Sequence, residues 1–212
     1  MIKNVVFDLD GTLIDTLEDL RDSMNHVLKL HGYPARELDE VRRFVGNGIA
    51  KLCERAAPGG ISDAELAEIV RDMEAWYPEH SAISTRPYDG IPELLDKLRS
   101  MDVKTSVVTN KTESAAQRLC ADLFGDVFTA VIGDDGGPLK PDPHNVRRAM
   151  QAMGAIHAQT VYVGDSEVDV RTAKNSGLRA VGVLWGFRDR RTLETAGADV
   201  IISSPEELLT IL

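Results

Sequence analysis

Val5-Val6-Phe7-Asp8-Leu9-Asp10-Gly11-Thr12 is an apolar run that stops abruptly at two carboxylates. The run suits a buried strand, and Gly11 lets the backbone turn straight after it. Ligands of an open parallel sheet bind beyond the carboxyl ends of its strands, which is where Asp8 and Asp10 then lie. Taken alone, a D-x-D reads as a solvated strand end before a turn. Three later strand ends with complementary side chains overturn that reading.

From Pro87 onward, helix and strand patterns alternate, as they do in βαβ units around a parallel sheet. Strands are expected at Val103 to Thr109, Val127 to Ile132, Thr160 to Gly164, Ala180 to Leu184 and Val200 to Ile202. Helices are expected at Ile91 to Met101, Thr112 to Leu123, His144 to Met153 and Glu167 to Asn175, with a last one from Ser204-Pro205-Glu206-Glu207. Between Thr12 and Pro87 the pattern is helical, so a helical lid interrupts the sheet after its first strand. Thr16 and Asp19 read as a capping box, after which Leu17, Leu20, Met24, Val27 and Leu28 recur at helical spacing until Gly32 and Pro34. A second helix is expected over Val41 to Ala57, loosened at Gly46-Asn47-Gly48. A third opens on the capping box of Ser62 and Glu65 and reaches Tyr77-Pro78.

With 212 residues the chain can bury a sizeable core, as one domain or as a domain with an insert. Lys plus Arg number 24 against 34 Asp plus Glu, and the net charge of −10 argues against nucleic acid or an anionic membrane as partner. Met1-Ile2-Lys3-Asn4 leads directly into the strand without the pattern of a signal peptide, and no apolar stretch has the length of a membrane span. Cys53 and Cys120 show no C-x-x-C or zinc spacing. Buried thiols in a cytoplasmic protein are expected.

Four strand ends carry polar chemistry: Asp8 and Asp10; Thr109 and Asn110; Gly133-Asp134-Asp135 with a loop to Lys140-Pro141; and Gly164-Asp165-Ser166 with Asp169 one turn on. Parallel strands would gather all of it along one edge. Asp8, Asp10 and Asp165 make an all-oxygen set suited to Mg²⁺, which commonly takes a few carboxylates plus water and substrate phosphate. Lys140 supplies a cation for a phosphate dianion, and Thr109 and Asn110 supply neutral donors to its oxygens. Those cations are needed, because a carboxylate brought to ~4 Å from a phosphate charge is opposed by roughly 4 kcal/mol at an effective dielectric near 20. Asp8 at the strand tip is the expected nucleophile, forming an aspartyl-phosphate; Asp10 beside it is the acid that protonates the leaving alkoxide and later deprotonates water.

Asp8-Leu9-Asp10-Gly11-Thr12, Val107-Val108-Thr109-Asn110-Lys111, Lys140-Pro141-Asp142-Pro143 and Val163-Gly164-Asp165-Ser166-Glu167-Val168-Asp169 resemble, in this order, the four motifs of the haloacid dehalogenase superfamily of Mg²⁺-dependent phosphatases. The resemblance implies an α/β fold: a Rossmann-like doubly wound parallel sheet in residues 1–13 and 85–212, with a helical cap domain of residues 14–84 inserted after the first strand. It also implies Mg²⁺ held by Asp8, the Asp10 backbone carbonyl and Asp165, and Asp10 argues against the dehalogenase branch, which lacks an acid there. Val41-Arg42-Arg43-Phe44-Val45-Gly46-Asn47-Gly48, Trp185-Gly186-Phe187-Arg188 and Ala196-Gly197-Ala198-Asp199 are most similar to phosphoglycolate phosphatases. The expected reaction is therefore hydrolysis of a small phosphorylated metabolite, 2-phosphoglycolate, to glycolate and phosphate. Similar sequences act on sugar phosphates, nucleotides or pyrophosphate, and Asp8 and Asp10 would serve a phosphomutase equally well.

Plainer readings stand beside several of these residues. Asp169 is either the capping acid of its helix or support behind the metal ligands, and one side chain could do both. Asp134 and Asp135 are read as turn residues, Arg42 and Arg43 as a solvated face from which one arginine could reach a substrate carboxylate. His26, His31, His80, His144 and His157 are scattered and take no catalytic part.

Overall fold

The apolar run near the start of the chain forms β1 (Asn4–Phe7), buried along its whole length, in a computed structural model that describes residues 1–212. The strands that follow are β2 (Ile14–Asp15), β3 (Arg86–Pro87), β4 (Lys104–Thr112), β5 (Ala130–Asp134), β6 (Thr160–Gly164), β7 (Arg179–Val183) and β8 (Val200–Ile202). The α-helices are α1 (Leu17–Leu30), α2 (Leu38–Phe44), α3 (Ile49–Ala56), α4 (Asp63–His80), α5 (Ile91–Ser100), α6 (Glu113–Phe124), α7 (His144–Met153), α8 (Glu167–Asn175) and α9 (Arg190–Ala196). The chain forms two compact units, Met1–Ile14 with Pro87–Leu212, and Asp15–Arg86.

In the first unit six parallel strands run in the order β5-β4-β1-β6-β7-β8. Crossover helices cover both faces, so the strands are apolar on both. Val5 and Phe7 join one apolar cluster with Ile91, Leu95 and Leu98 of α5 and Leu119 of α6; Val6 joins another with Val146 and Met150 of α7 and Val170 of α8. That division is the two-residue alternation of a strand. Phe7 is level with Val107 of β4 on one side and Val163 of β6 on the other. The ends of three strands thus come together where the strand order reverses, the place where such sheets bind ligands.

Several elements depart from the sequence expectation, and β5 starts three residues later than expected, at Ala130. β4 runs on through Thr109 to Thr112, with a register shift between Val108 and Thr112 that places Thr112 opposite Asp134. Residues Pro205–Ile211 form a 3₁₀ helix rather than an α-helix. α9 leaves no mark in the sequence pattern: it is seven residues long and buries only Leu193, too short for periodicity to register, and Asp189 caps it by accepting the Thr192 N–H at 2.9 Å.

The second unit is helical. Leu17, Leu20, Met24, Val27 and Leu28 line the buried face of α1. The Thr16–Asp19 capping box does not form, because Asp19 is taken by another partner. Its carboxylate is buried and accepts the N–H groups of Ile83, Ser84 and Thr85 and the Thr85 hydroxyl, at 2.7 to 3.1 Å. The second expected helix is two, α2 and α3, parted at residues 45–48, and Arg55 bridges the gap by donating to Phe44 O and Asn47 Oδ1, both at 2.7 Å. The Ser62–Glu65 capping box is present, and α4 continues through Pro78 to His80. No helix is long and apolar enough to cross a membrane.

Candidate active site

Asp8 leaves the tip of β1 with its N–H bonded to Val163 O of β6 at 2.9 Å, which fixes its backbone beside the end of that strand. Its carboxylate meets those of Asp165, just past β6, and Asp169, in the first turn of α8, with the ligating oxygens within 4.8 Å of one another. Burial is nearly complete: Asp8 is 7% exposed, Asp165 and Asp169 1% each. Lys140 Nζ reaches this cluster from the loop after β5 and donates to Asp8 Oδ1 and Asp169 Oδ1, both at 2.7 Å.

Each member is held by local structure. Asn110 at the end of β4 grips the Lys140 backbone twice, accepting its N–H at 2.8 Å and donating to its carbonyl at 3.3 Å. These bonds use the Asn110 carbonyl oxygen and one of its two amide N–H groups; its neighbour Thr109 accepts the Lys111 N–H at 3.1 Å and keeps its own hydroxyl proton for a further acceptor. Asp165 accepts the Phe187 N–H at 2.7 Å and the Thr12 hydroxyl at 3.3 Å. Asp169 Oδ2 accepts from Ser166 N–H and Oγ–H, closing the capping box of α8, while Oδ1 takes Lys140 and the Tyr162 hydroxyl. Asp169 is therefore both cap and cluster member.

Two glycines make the packing around Asp165 possible. A Cβ on Gly11, whose φ is +88°, would fall 2.5 Å from Asp165 Oδ2, and one on Gly186 would fall 2.3 Å from both Asp165 Cβ and Gly11 O.

Lys140 pairs with two of the three carboxylates, Asp8 and Asp169, while Asp165 feels Arg188 and Lys140 without bonding the lysine. Burial, then the charges of Asp169 and Asp165, push Asp8 well above the usual carboxylate range despite Lys140. Burial and Asp169 raise Asp165 to about 7. Burial would depress Lys140, but Asp169 and Asp8 outweigh it and hold the lysine protonated far above its ordinary value. A buried cluster of carboxylate oxygens fits a hard divalent cation.

Asp10 stands apart from that cluster. Its Oδ1 accepts Lys111 Nζ at 3.0 Å, with the two side chains 16% and 6% exposed. In the sequence Lys111 stands within the second motif with no role of its own, and its place directly after Thr109-Asn110 is the one signal that points to it. Tyr162, which donates to Asp169, lies in an apolar strand and reads in sequence as core. Asp134 and Asp135 serve as turn acceptors for the N–H groups of Gly136 and Gly137. Arg42 lies 3.7 Å from Asp39 and Arg43 is exposed, both within the second unit. Cys53 and Cys120 are buried free thiols, pushed up to about 12 chiefly by burial and so unreactive. The acidic cluster contains no histidine.

The model of the haloacid dehalogenase-like hydrolase family matches residues 5–183. A phosphoglycolate phosphatase of Caulobacter vibrioides is 37% identical over 217 residues, covering 98% of this chain and 91% of its own. One of Pseudomonas putida is 35% identical over 213 residues, covering 97% of this chain and 78% of its own. Among solved structures, a predicted phosphoglycolate phosphatase of Haemophilus somnus superposes with a TM-score of 0.90 at 28% identity, over 99% of this chain and 97% of that one. A mutant of CbbY from Rhodobacter sphaeroides, in complex with xylulose-(1,5)bisphosphate, gives a TM-score of 0.76 at 25% identity over 98% and 96%.

Proposed function

The chain belongs to the haloacid dehalogenase-like hydrolases, and on that footing we propose that it hydrolyses a small phosphomonoester, 2-phosphoglycolate, through a phosphoryl group carried on Asp8. The observation that carries the reading is the Asp8 carboxylate, held 2.7 Å from Lys140 Nζ among buried acids while Asp10 lies outside the cluster. One acid is thereby set as nucleophile and the other left for proton transfer. The names carried by relatives at 35% and 37% identity support the substrate.

Asp8, the Asp10 backbone carbonyl and Asp165 would hold Mg²⁺, with Asp169, bonded to Lys140 and Ser166, supporting them from behind. When bound, the ion offsets phosphate charge and polarises the phosphoryl oxygens. In the first step an Asp8 oxygen bonds to phosphorus as the bond from phosphorus to the substrate alkoxide breaks, and Asp10 gives that alkoxide its proton. In the second, water attacks the phosphorus of phospho-Asp8, the bond to Asp8 breaks, and Asp10 takes the water's proton. Lys140 screens the nucleophile from the phosphate charge, the Thr109 hydroxyl donates to a phosphate oxygen, and Asn110 acts by placing Lys140.

The test is a panel of phosphomonoesters with Mg²⁺ and with a chelator, ranked by kcat/KM, alongside Asp8→Asn. We expect 2-phosphoglycolate to lead, the chelator to abolish turnover, and Asp8→Asn to lose about 10⁴-fold or more, as removal of a nucleophile does. Normal phosphate release by Asp8→Asn would exclude the intermediate. An isomerised product without free phosphate would instead mark a phosphomutase.

A further inference from the structure

The chemistry proposed above gives Lys111 no part, yet its side chain is 6% exposed and is aimed at the proton-transferring acid. We infer that Lys111 is a positioning residue that pins Asp10 Oδ1, so that Oδ2 alone carries the proton to the leaving oxygen and receives it back from water. The inference rests on the reading of Asp10 as the acid and base.

The local fold is built to deliver this contact. A carboxylate on the turn after β1 rotates about two side-chain bonds unless something holds one oxygen, and a misdirected proton donor loses much of its effect. Lys111 sits 101 residues away in the chain, on the strand that flanks β1. Regular continuation of β4 is interrupted between Val108 and Thr112. Within that interruption the Lys111 N–H is tied to the Thr109 hydroxyl at 3.1 Å. On the other side, a Cβ at Gly133 would fall 2.5 Å from Lys111 O and 2.6 Å from Glu113 Cα, so only glycine on β5 allows the Lys111 backbone to lie where it does. A bulge that re-aims a side chain beside an active site is a recurrent device.

In the phosphoryl-transfer step the proton moves from Asp10 Oδ2 to the departing oxygen while Lys111 keeps donating to Oδ1. In the hydrolytic step the proton of the attacking water returns to Oδ2. Lys111 neither gains nor loses a proton, and it touches neither phosphate nor water in either step.

Leaving groups of different basicity separate this role from a structural one. A 4-nitrophenolate departs with little protic help, whereas the alkoxide of 2-phosphoglycolate needs it. We expect Lys111→Met to lower kcat/KM for 2-phosphoglycolate by about 10- to 100-fold, and that for 4-nitrophenyl phosphate by no more than about threefold, as loss of aim in a general acid should. In an Asp10→Asn background, Lys111→Met should add nothing, since the group it positions is gone. Lys111→Gln, which keeps a donor, is measured in parallel and replaces Lys111→Met should that variant not fold; it should recover part of the loss on 2-phosphoglycolate alone. An equal fall on both substrates, or full additivity with Asp10→Asn, would overturn the inference. Absence of phosphate release by the wild-type enzyme with Mg²⁺ would instead overturn the proposed function and take this inference with it.

Discussion

Asp165 shows how a single buried acid sets a pH dependence. Burial and the neighbouring Asp169 lift it from 3.8 to about 7, so between those values the native chain keeps a proton that the unfolded chain has already released. Its contribution to stability is therefore complete below about pH 4 and is lost as pH rises through about 7. In metal-free protein, urea midpoints measured from pH 4 to 8 should carry a downward component across that window, and Asp165→Asn should remove it. At the same scale, Lys140→Met should cost about 3–5 kcal/mol, the penalty for stranding one side of a buried ion pair, and less at low pH, where Asp8, already raised by burial, takes up a proton. Urea unfolding of the variant at two pH values checks both parts.

Elements fix where such residues stand. The turn of Gly11 and the backbone of Gly186 close around Asp165, and a methyl group on Gly186 would need the 2.3 Å already occupied by Asp165 Cβ and Gly11 O. Gly186→Ala should accordingly weaken divalent-metal binding, measured by calorimetry, while leaving the helical signal in circular dichroism near that of the wild type. In the second unit, Asp19 ties α1 to the Ile83-Ser84-Thr85 segment through three backbone N–H groups and a hydroxyl. Asp19→Ala leaves those donors without their acceptor, and a loss of about 2–4 kcal/mol in urea unfolding is expected from such orphaned groups. The Ser62–Glu65 pair formed the box its sequence indicates, whereas the equally regular Thr16–Asp19 pair did not. Local spacing can offer a cap, but it cannot exclude a stronger acceptor site elsewhere.

At the scale of the whole molecule, a cation bound only by the native state is a source of stability. Ligand at 100 times its Kd adds about 2.7 kcal/mol, so saturating Mg²⁺ should raise the melting temperature and chelator should lower it. The effect should grow as pH rises toward 7, since metal must displace the proton that Asp165 otherwise holds. A melting temperature indifferent to Mg²⁺ would speak against an ion in the acidic cluster.

The alternating and helical periods of this sequence determined by themselves that it would build a parallel α/β sheet with a helical insert after the first strand, because burial imposes those periods residue by residue. They also determined that Asp8, Lys140 and Asp165 would stand at strand ends or on the loops that follow them, whereas Thr109 proved to lie inside a longer β4. Only the tertiary structure decided who bonds to whom: Asp10 to Lys111, Asn110 to the Lys140 backbone, Asp19 to residues 83–85, and Asp169 to Lys140 and Ser166 at once. Hydrogen bonds and ion pairs act over about 3 Å in space, and the partners here lie as far as 101 residues apart in sequence. Competition among several acceptors for one donor is therefore settled by the packed fold and leaves no periodic trace in the chain.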